Sequence, residues 1–316
     1  MDEITVTRHN ELIDPVMSIY GWEIAVYLFL GGLVAGMMII TGYFLYKGRQ
    51  REELCSCYQI PLLSIILLSI GMLALFLDLD HKLYVWRMYL TFQVASPMSW
   101  GSWILVFVYP ALIASMLIRV PLYLEIKFKF LGKWSEAINS NKKNVKTIGI
   151  INMTLGSALG IYTGILLSAF GARPLWNSAV LGLLFLTSGL STASALVHLI
   201  SKNKEESELL AKADNGFLVT EIILIGLFII GLLSSTQVHI DAVKIILTGV
   251  YAPVFWIFVI GLGIIIPLII QTLAVQHKIK HTIVAPIMVI IGGLILRFVI
   301  VYAGQLSHWT KKAFLE

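Results

Sequence analysis

A chain of 316 residues that is 58 % hydrophobic and only 13 % charged, with a mean hydropathy of +0.87, is not an ordinary soluble domain, in which about a quarter of residues are charged. The composition points to an integral membrane protein, with membrane lipids and no nucleic acid among its expected partners. Membrane barrels are excluded as well, because no stretch alternates apolar and polar residues over about ten positions.

A helix crosses a hydrocarbon core of about 30 Å with about 20 apolar residues. Eight runs qualify, near 21–46, 59–79, 98–118, 147–170, 177–200, 216–235, 252–273 and 282–303. The expected fold class is therefore an all-α integral membrane protein with eight transmembrane helices. The segment before them, MDEITVTRHNELIDP, is acidic and polar. No basic region precedes a short apolar core there, so no cleaved signal is expected and the first helix directs insertion itself. Cys55 and Cys57 form a C-x-C pair in the first loop. Two thiols are too few for an iron–sulfur cluster, which takes four protein ligands. They read as loop thiols, with a metal or redox role as the alternative.

Eight spans put both termini on one side of the membrane. The loops after helices one, three, five and seven carry 15 Lys and Arg, against 7 on the termini and the other loops. The positive-inside bias places both termini outside the cytoplasm, in the bacterial or archaeal cytoplasmic membrane. Much of the bias lies in loop 119–146, whose Lys residues mix with Leu, Ile, Phe and Trp. That mixture suits a segment resting on anionic lipid at the inner interface.

Polar and ionisable residues are costly inside a bilayer, so their depth is informative. In this orientation Glu23 and Tyr27 occupy the first turns of helix one, one turn apart on one face. Helix two ends outside in LDLDHKLYVWR, with Asp78, Asp80, His81 and Arg87. QVASPMSWGSW leads into helix three, where Ser96 or Ser99 is expected to cap the helix and Trp100 and Trp103 to anchor it. Helix four brings Tyr162 to its outer half and Arg173 and Trp176 to its outer end. Four distant segments thus deliver acids, a histidine, arginines and aromatics to one depth. Each also has a plainer reading: an interfacial belt for the tryptophans, capping or pairing for Glu23 and Asp78, an ordinary loop residue for His81. Glu221 and Arg297 lie apart, inside helices six and eight. They read as a structural pair or as parts of a proton path. Gly32 and Gly36, then Gly156, Gly160 and Gly164, recur every four residues, the spacing of close helix packing.

An edge-of-membrane pocket with phenols, indoles, acids and a histidine suits an amphiphile with a polar ring head and an apolar tail. Quinones fit that description. Their two-electron, two-proton chemistry asks for proton donors such as Glu23, Asp78 and His81 and for hydrogen-bond partners such as Tyr27, Tyr162 and Arg173. Bound b-type haem calls for paired histidines deep in the helices, whereas only His198 lies within a span, so no redox metal is expected here.

GWEIAVYLFLGGLVAG, SPMSWGSW, YTGILLSAFGARPLWN, LLFLTSGLSTASAL, the intramembrane Glu221 and GGLILRFVIVYAGQ together resemble the NrfD/PsrC family of polysulfide-reductase-type membrane subunits, over residues 21–305. The resemblance implies two four-helix bundles, 21–118 with 147–170 and 177–303. It implies a menaquinone or ubiquinone site near the outer surface, with Trp100 and Trp176 as candidate walls. It also implies a four-cluster ferredoxin-like partner on that face, serving a molybdopterin or multihaem catalytic subunit. The family's helix-one histidine falls on Tyr27 and its asparagine near Glu23 or Ile24, while its helix-four tyrosine matches Tyr162.

Overall fold

A backbone surrounded by hydrocarbon finds hydrogen-bond partners only within itself, and each long apolar run accordingly closes into a helix. The computed structural model describes residues 20–49, 59–79, 81–120, 129–201, 203–276 and 282–307. Among these residues no strand occurs. Eight helices are long and apolar enough to span: α1 (Trp22–Lys47), α2 (Ile60–Asp78), α4 (Pro97–Ile118), α6 (Lys142–Ser168), α7 (Val180–Ile200), α8 (Lys204–Leu233), α10 (Val254–Val275) and α11 (Val284–Leu306). Shorter helices sit in the connections: α3 (Arg87–Leu90), α5 (Lys129–Asn139) and α9 (Gln237–Leu247). The chain is an all-α, multi-pass membrane protein. Asp80, Cys55, Cys57, the segment before Tyr20 and the tail after Ser307 lie outside the described residues.

Several boundaries differ from the apolar runs. α8 starts at Lys204 rather than near 216, because Asn203 accepts a hydrogen bond from the Glu205 backbone N–H at 3.0 Å and Glu205 and Glu206 fill the first turn. Hydropathy misses such a polar start. α6 likewise begins at Lys142, where Asn141 accepts from the Lys143 N–H at 2.9 Å. α4 begins with Pro97 at its first position. Ser96 occupies the cap position without a side-chain cap bond, and Ser99 Oγ instead accepts from the Gln93 N–H and donates to the Thr91 carbonyl. The first part of α10, Val254–Ile265, is π-helical, before an α-helical Ile266–Val275.

α1 is the axis of the molecule, buried along most of its length and packed against α2, α6, α7 and α11. Lipid tails are as apolar as leucine, so close packing rather than the hydrophobic effect holds such helices together, and small residues permit it. A methyl group on Gly36 would run into the Gly189 carbonyl, and one on Gly189 into that of Gly32. The same fit recurs where Gly42 meets Gly149 between α1 and α6. Apolar side chains such as Leu73, Ile223, Ile257 and Ile269 point outward on the rim helices, as a lipid-facing surface should. On the basic side, the Asn139 amide and the Ser135 hydroxyl donate to the Ile118 carbonyl and pin α5 to the end of α4, leaving Trp134 exposed.

Gly36→Ala is expected to lower stability by about 1–3 kcal/mol, because the opposing atom is backbone and cannot step aside. Gly216→Ala, at a helical position with nothing within 4 Å of an added methyl group, is expected to leave stability equal or slightly higher. Thermal aggregation of the detergent-solubilised protein reads both, and equal midpoints would refute the close-contact account.

Candidate functional site

The start of α1, the end of α2, the start of α4 and the end of α6 meet at one end of the molecule and leave a cavity of about 410 Å³ between them. That lies within the usual range for a small-molecule site, about 300–1,000 Å³. α1 supplies Ile24 and Tyr27, α2 supplies Asp78, α4 supplies Gly101 and Ser102, and α6 supplies Tyr162. His81, Met88 and Tyr89 come from the α2–α4 connection, and Tyr20 from just before α1. Four phenols, a carboxyl and an imidazole therefore face a space whose remaining walls are Leu, Ile and Met with Gly101 and Ser102. Tyr27 and Tyr162 are almost fully buried, at 3 % and 6 % exposure.

The connection is held over the cavity by short polar contacts. Ser102 Oγ lies 2.8 Å from the carbonyls of both Met88 and Ser99, so its one proton serves either. Thr91 Oγ1 donates to the Arg87 carbonyl at 2.6 Å, and the Trp100 indole N–H donates to the Val94 carbonyl at 2.7 Å. Arg87 itself stacks over Tyr84 and Trp86. These contacts fix Met88 and Tyr89 against the start of α4. Burial, together with the neighbouring Tyr109, raises the Tyr89 pKa. Burial and then the nearby Asp78 carboxyl push Tyr20 up to about 12. Both phenols therefore stay protonated and remain hydrogen-bond donors at neutral pH.

The remaining expected site residues are placed differently. Glu23 is half-buried one turn before Tyr27, its carboxylate folded back beside Gly21, and it does not line the cavity. Trp100 is half-exposed and lines a separate outer groove. Arg173 and Trp176 belong to a clamp on the end of α11. Arg173 donates to the carbonyls of Gln305 and Ser307 at 2.9 and 3.1 Å, its pKa lowered by burial, and the Trp176 indole donates to the Ile300 carbonyl at 2.8 Å. Trp176 and Phe170 pack against the Tyr20 ring, and Gln305 exchanges two hydrogen bonds with the Tyr20 backbone. Arg173 and Trp176 thus support Tyr20 rather than face the cavity. Tyr20 and Tyr89 are lining residues that sequence reasoning did not single out. Tyr20 sits just ahead of the first apolar run, and Tyr89 is one aromatic among many in its loop.

A second polar territory lies among α7, α8, α10 and α11. The buried face of α8 carries Glu206, Asp214 and Glu221. Asp214 accepts from the Ser191 hydroxyl at 2.6 Å and the Gln271 amide at 2.8 Å. Arg297 donates to the Ser188 hydroxyl at 2.8 Å and to the Phe185 carbonyl at 2.9 Å, and its guanidinium lies 4.3 Å from the Phe185 ring centre. Ser188 also stands beside Glu221, so one hydroxyl lies near both Arg297 and Glu221. Glu221 lies mid-helix, because α8 starts earlier than the apolar run. Asp214 escaped sequence reading for the same reason, falling in what looked like a loop.

Comparison with known proteins agrees with this architecture. The family described as polysulphide reductase, NrfD, matches residues 5–308. The sequence is 30 % identical to the C subunit of polysulfide reductase from Wolinella succinogenes over 303 residues, covering 91 % of this protein and 94 % of that one. It is 30 % identical to the NrfD homolog of Haemophilus influenzae, covering 92 % and 95 % of the two proteins, and 26 % identical to NrfD of Escherichia coli, covering 92 % and 96 %. An eight-span helical chain matched over nearly its whole length in this way belongs to the NrfD family of polysulfide reductase membrane subunits.

Proposed function

We propose that this chain is the quinone-reactive membrane subunit of a respiratory oxidoreductase complex. It would exchange electrons between a menaquinone or ubiquinone pool and an iron–sulfur partner. The observation that carries the reading is the cavity: phenols, a carboxyl and an imidazole gathered in an apolar pocket at one end of a lipid-facing bundle. A quinone ring fits such a lining, since its two carbonyl oxygens need donors while its ring and tail need apolar walls. When bound, the quinol form would supply two electrons and two protons. Tyr27 and Tyr162 would bond the ring oxygens and orient them. Asp78 and His81 would accept protons, and half-exposed Glu23 would pass them to water. Trp100, Arg173 and Trp176 act in this reading through the connection and the clamp. The electrons would leave through a four-cluster ferredoxin-like partner, bound at the cavity end, to a molybdopterin or multihaem catalytic subunit. Basic α5 and its flanks would rest on anionic lipid at the opposite face.

Asp78→Asn and Tyr162→Phe are each expected to lower quinol-linked turnover by about 10²-fold, the scale of a lost proton-transfer or orienting group. Both variants should still assemble with the partner subunits. Normal turnover in both would remove the assignment. The proposed orientation has its own measurement: single cysteines introduced at Leu83 and Trp134 are expected to react with a membrane-impermeant maleimide from the outside and only from the inside, respectively. The reverse pattern would invert it.

A second reading, proton movement coupled to electron transfer, is favoured by the position of Asp214. About 12 Å of helix rise separates Glu206 from Asp214 and about 10 Å separates Asp214 from Glu221. Serines of α7 and Gln271 stand beside these acids. Buried acids in such a series are expensive to keep unless they pair or carry protons. In liposomes, Asp214→Asn and Glu221→Gln are expected to reduce the protons moved per electron, and an unchanged ratio would leave the acids as structural partners of Arg297 and Gln271.

A further inference from the structure

A ligand with a ring head and a long apolar chain cannot lie wholly within the cavity and must reach the bilayer sideways. The wall between α4 and α6 has an unusual construction. Tyr162 stands in that seam, and its ring lies so close to Gly101 that a methyl group there would overlap it. Across the seam, on the outer surface of the same two helices, is a groove of about 490 Å³, and Tyr162 lines this groove as well as the cavity. Pro97, Trp100 and Ile104 of α4 form one bank, and Ala158, Ile161 and Ile165 of α6 form the other. The lining is almost wholly apolar. Its one indole N–H is already bonded to the Val94 carbonyl, which holds Trp100 as a fixed plate at the end of the groove. Ile165 and Trp100 are 45 % and 50 % exposed, so the groove opens to lipid.

Cavity and groove are thus two compartments separated by one aromatic ring standing over a glycine. We infer that they form a single site, in which the isoprenoid tail of a quinone passes Tyr162 and lies in the α4–α6 groove while the ring occupies the inner cavity. A bilayer lipid chain would fit the apolar banks equally well. The shared wall at Tyr162 is what favours a ligand that also has a head inside. Because lipid is no more polar than the groove, its contribution would be packing and alignment of the tail, which hold the ring in register with Tyr27 and Asp78. This inference rests on the quinone reading of the cavity.

The test uses membranes containing the whole complex and two probes: a naphthoquinol with no side chain, and the same ring with a side chain of two isoprene units. Ala158→Phe and Ile165→Trp fill the groove from the lipid side without touching the cavity. Each is expected to raise KM for the prenylated quinol about tenfold and to shift KM for the tailless quinol by less than about twofold. Equal shifts for both quinols, or no shift for either, as when only bilayer lipid occupies the groove, would overturn the inference. Asp78→Asn in the same assay separates the tail assignment from the head site. If it slows both quinols while the groove variants do not discriminate, the tail assignment alone fails; if it slows neither, the head site fails with it.

Discussion

In hydrocarbon a backbone or side-chain polar group that finds no partner inside the protein costs several kcal/mol, and no hydrophobic force is available to press one apolar helix against another. The architecture follows from those two constraints. α1 can serve as a common axis for α2, α6, α7 and α11 only because glycines at its contacts let backbone meet backbone. Most buried polar groups then close on a neighbour or face a cavity. Asn152 does the former, donating to Ser115 and to the Ile148 carbonyl. Tyr27 and Tyr162 do the latter.

The polar residues separate into two territories with different chemistry. One is a cavity lined by four phenols, a carboxyl and an imidazole. The other holds buried acids, an arginine, serines and a glutamine, with Asp214 bonded to Ser191 and Gln271 and Arg297 bonded to Ser188 and the Phe185 carbonyl. α1 lies against both. Tyr27 faces the cavity, and five residues further on Gly32 faces the Arg297 guanidinium, which a side chain there would crowd. About 7.5 Å of helix rise therefore separates the two territories. α1, buried along most of its length, is the shortest physical link between them.

Much of this was legible in the sequence, because the bilayer makes polarity and depth nearly the same variable. Tyr27, Asp78, His81 and Tyr162, far apart in the chain, could be assigned to one depth, and they line one cavity. What depth cannot give is azimuth. Glu23, Trp100, Arg173 and Trp176 read to the same depth, yet they turn to the helix start, the outer groove and the end of α11. Which way an interfacial side chain faces is decided by tertiary packing, and a single sequence carries little trace of it. The start of α8 was hidden for another reason. Its first turns are stabilised by a cap and by acids rather than by hydropathy, so a polar stretch that resembles a loop is helix, and Asp214 is carried with it.

The clamp between Tyr20 and Gln305 bears on how the molecule is made. Tyr20 is a wall of the cavity contributed from the beginning of the chain, yet its backbone is held by a residue of the last helix, and its ring is propped by Trp176, itself bonded to that helix. During synthesis the residues of α1, α2, α4 and α6 all reach the membrane well before α11. The wall at Tyr20 can be completed only after α11 has inserted and docked. A partly inserted chain would carry most of the lining residues and still lack a closed cavity, so closure of the pocket is itself a sign that α11 has inserted and docked.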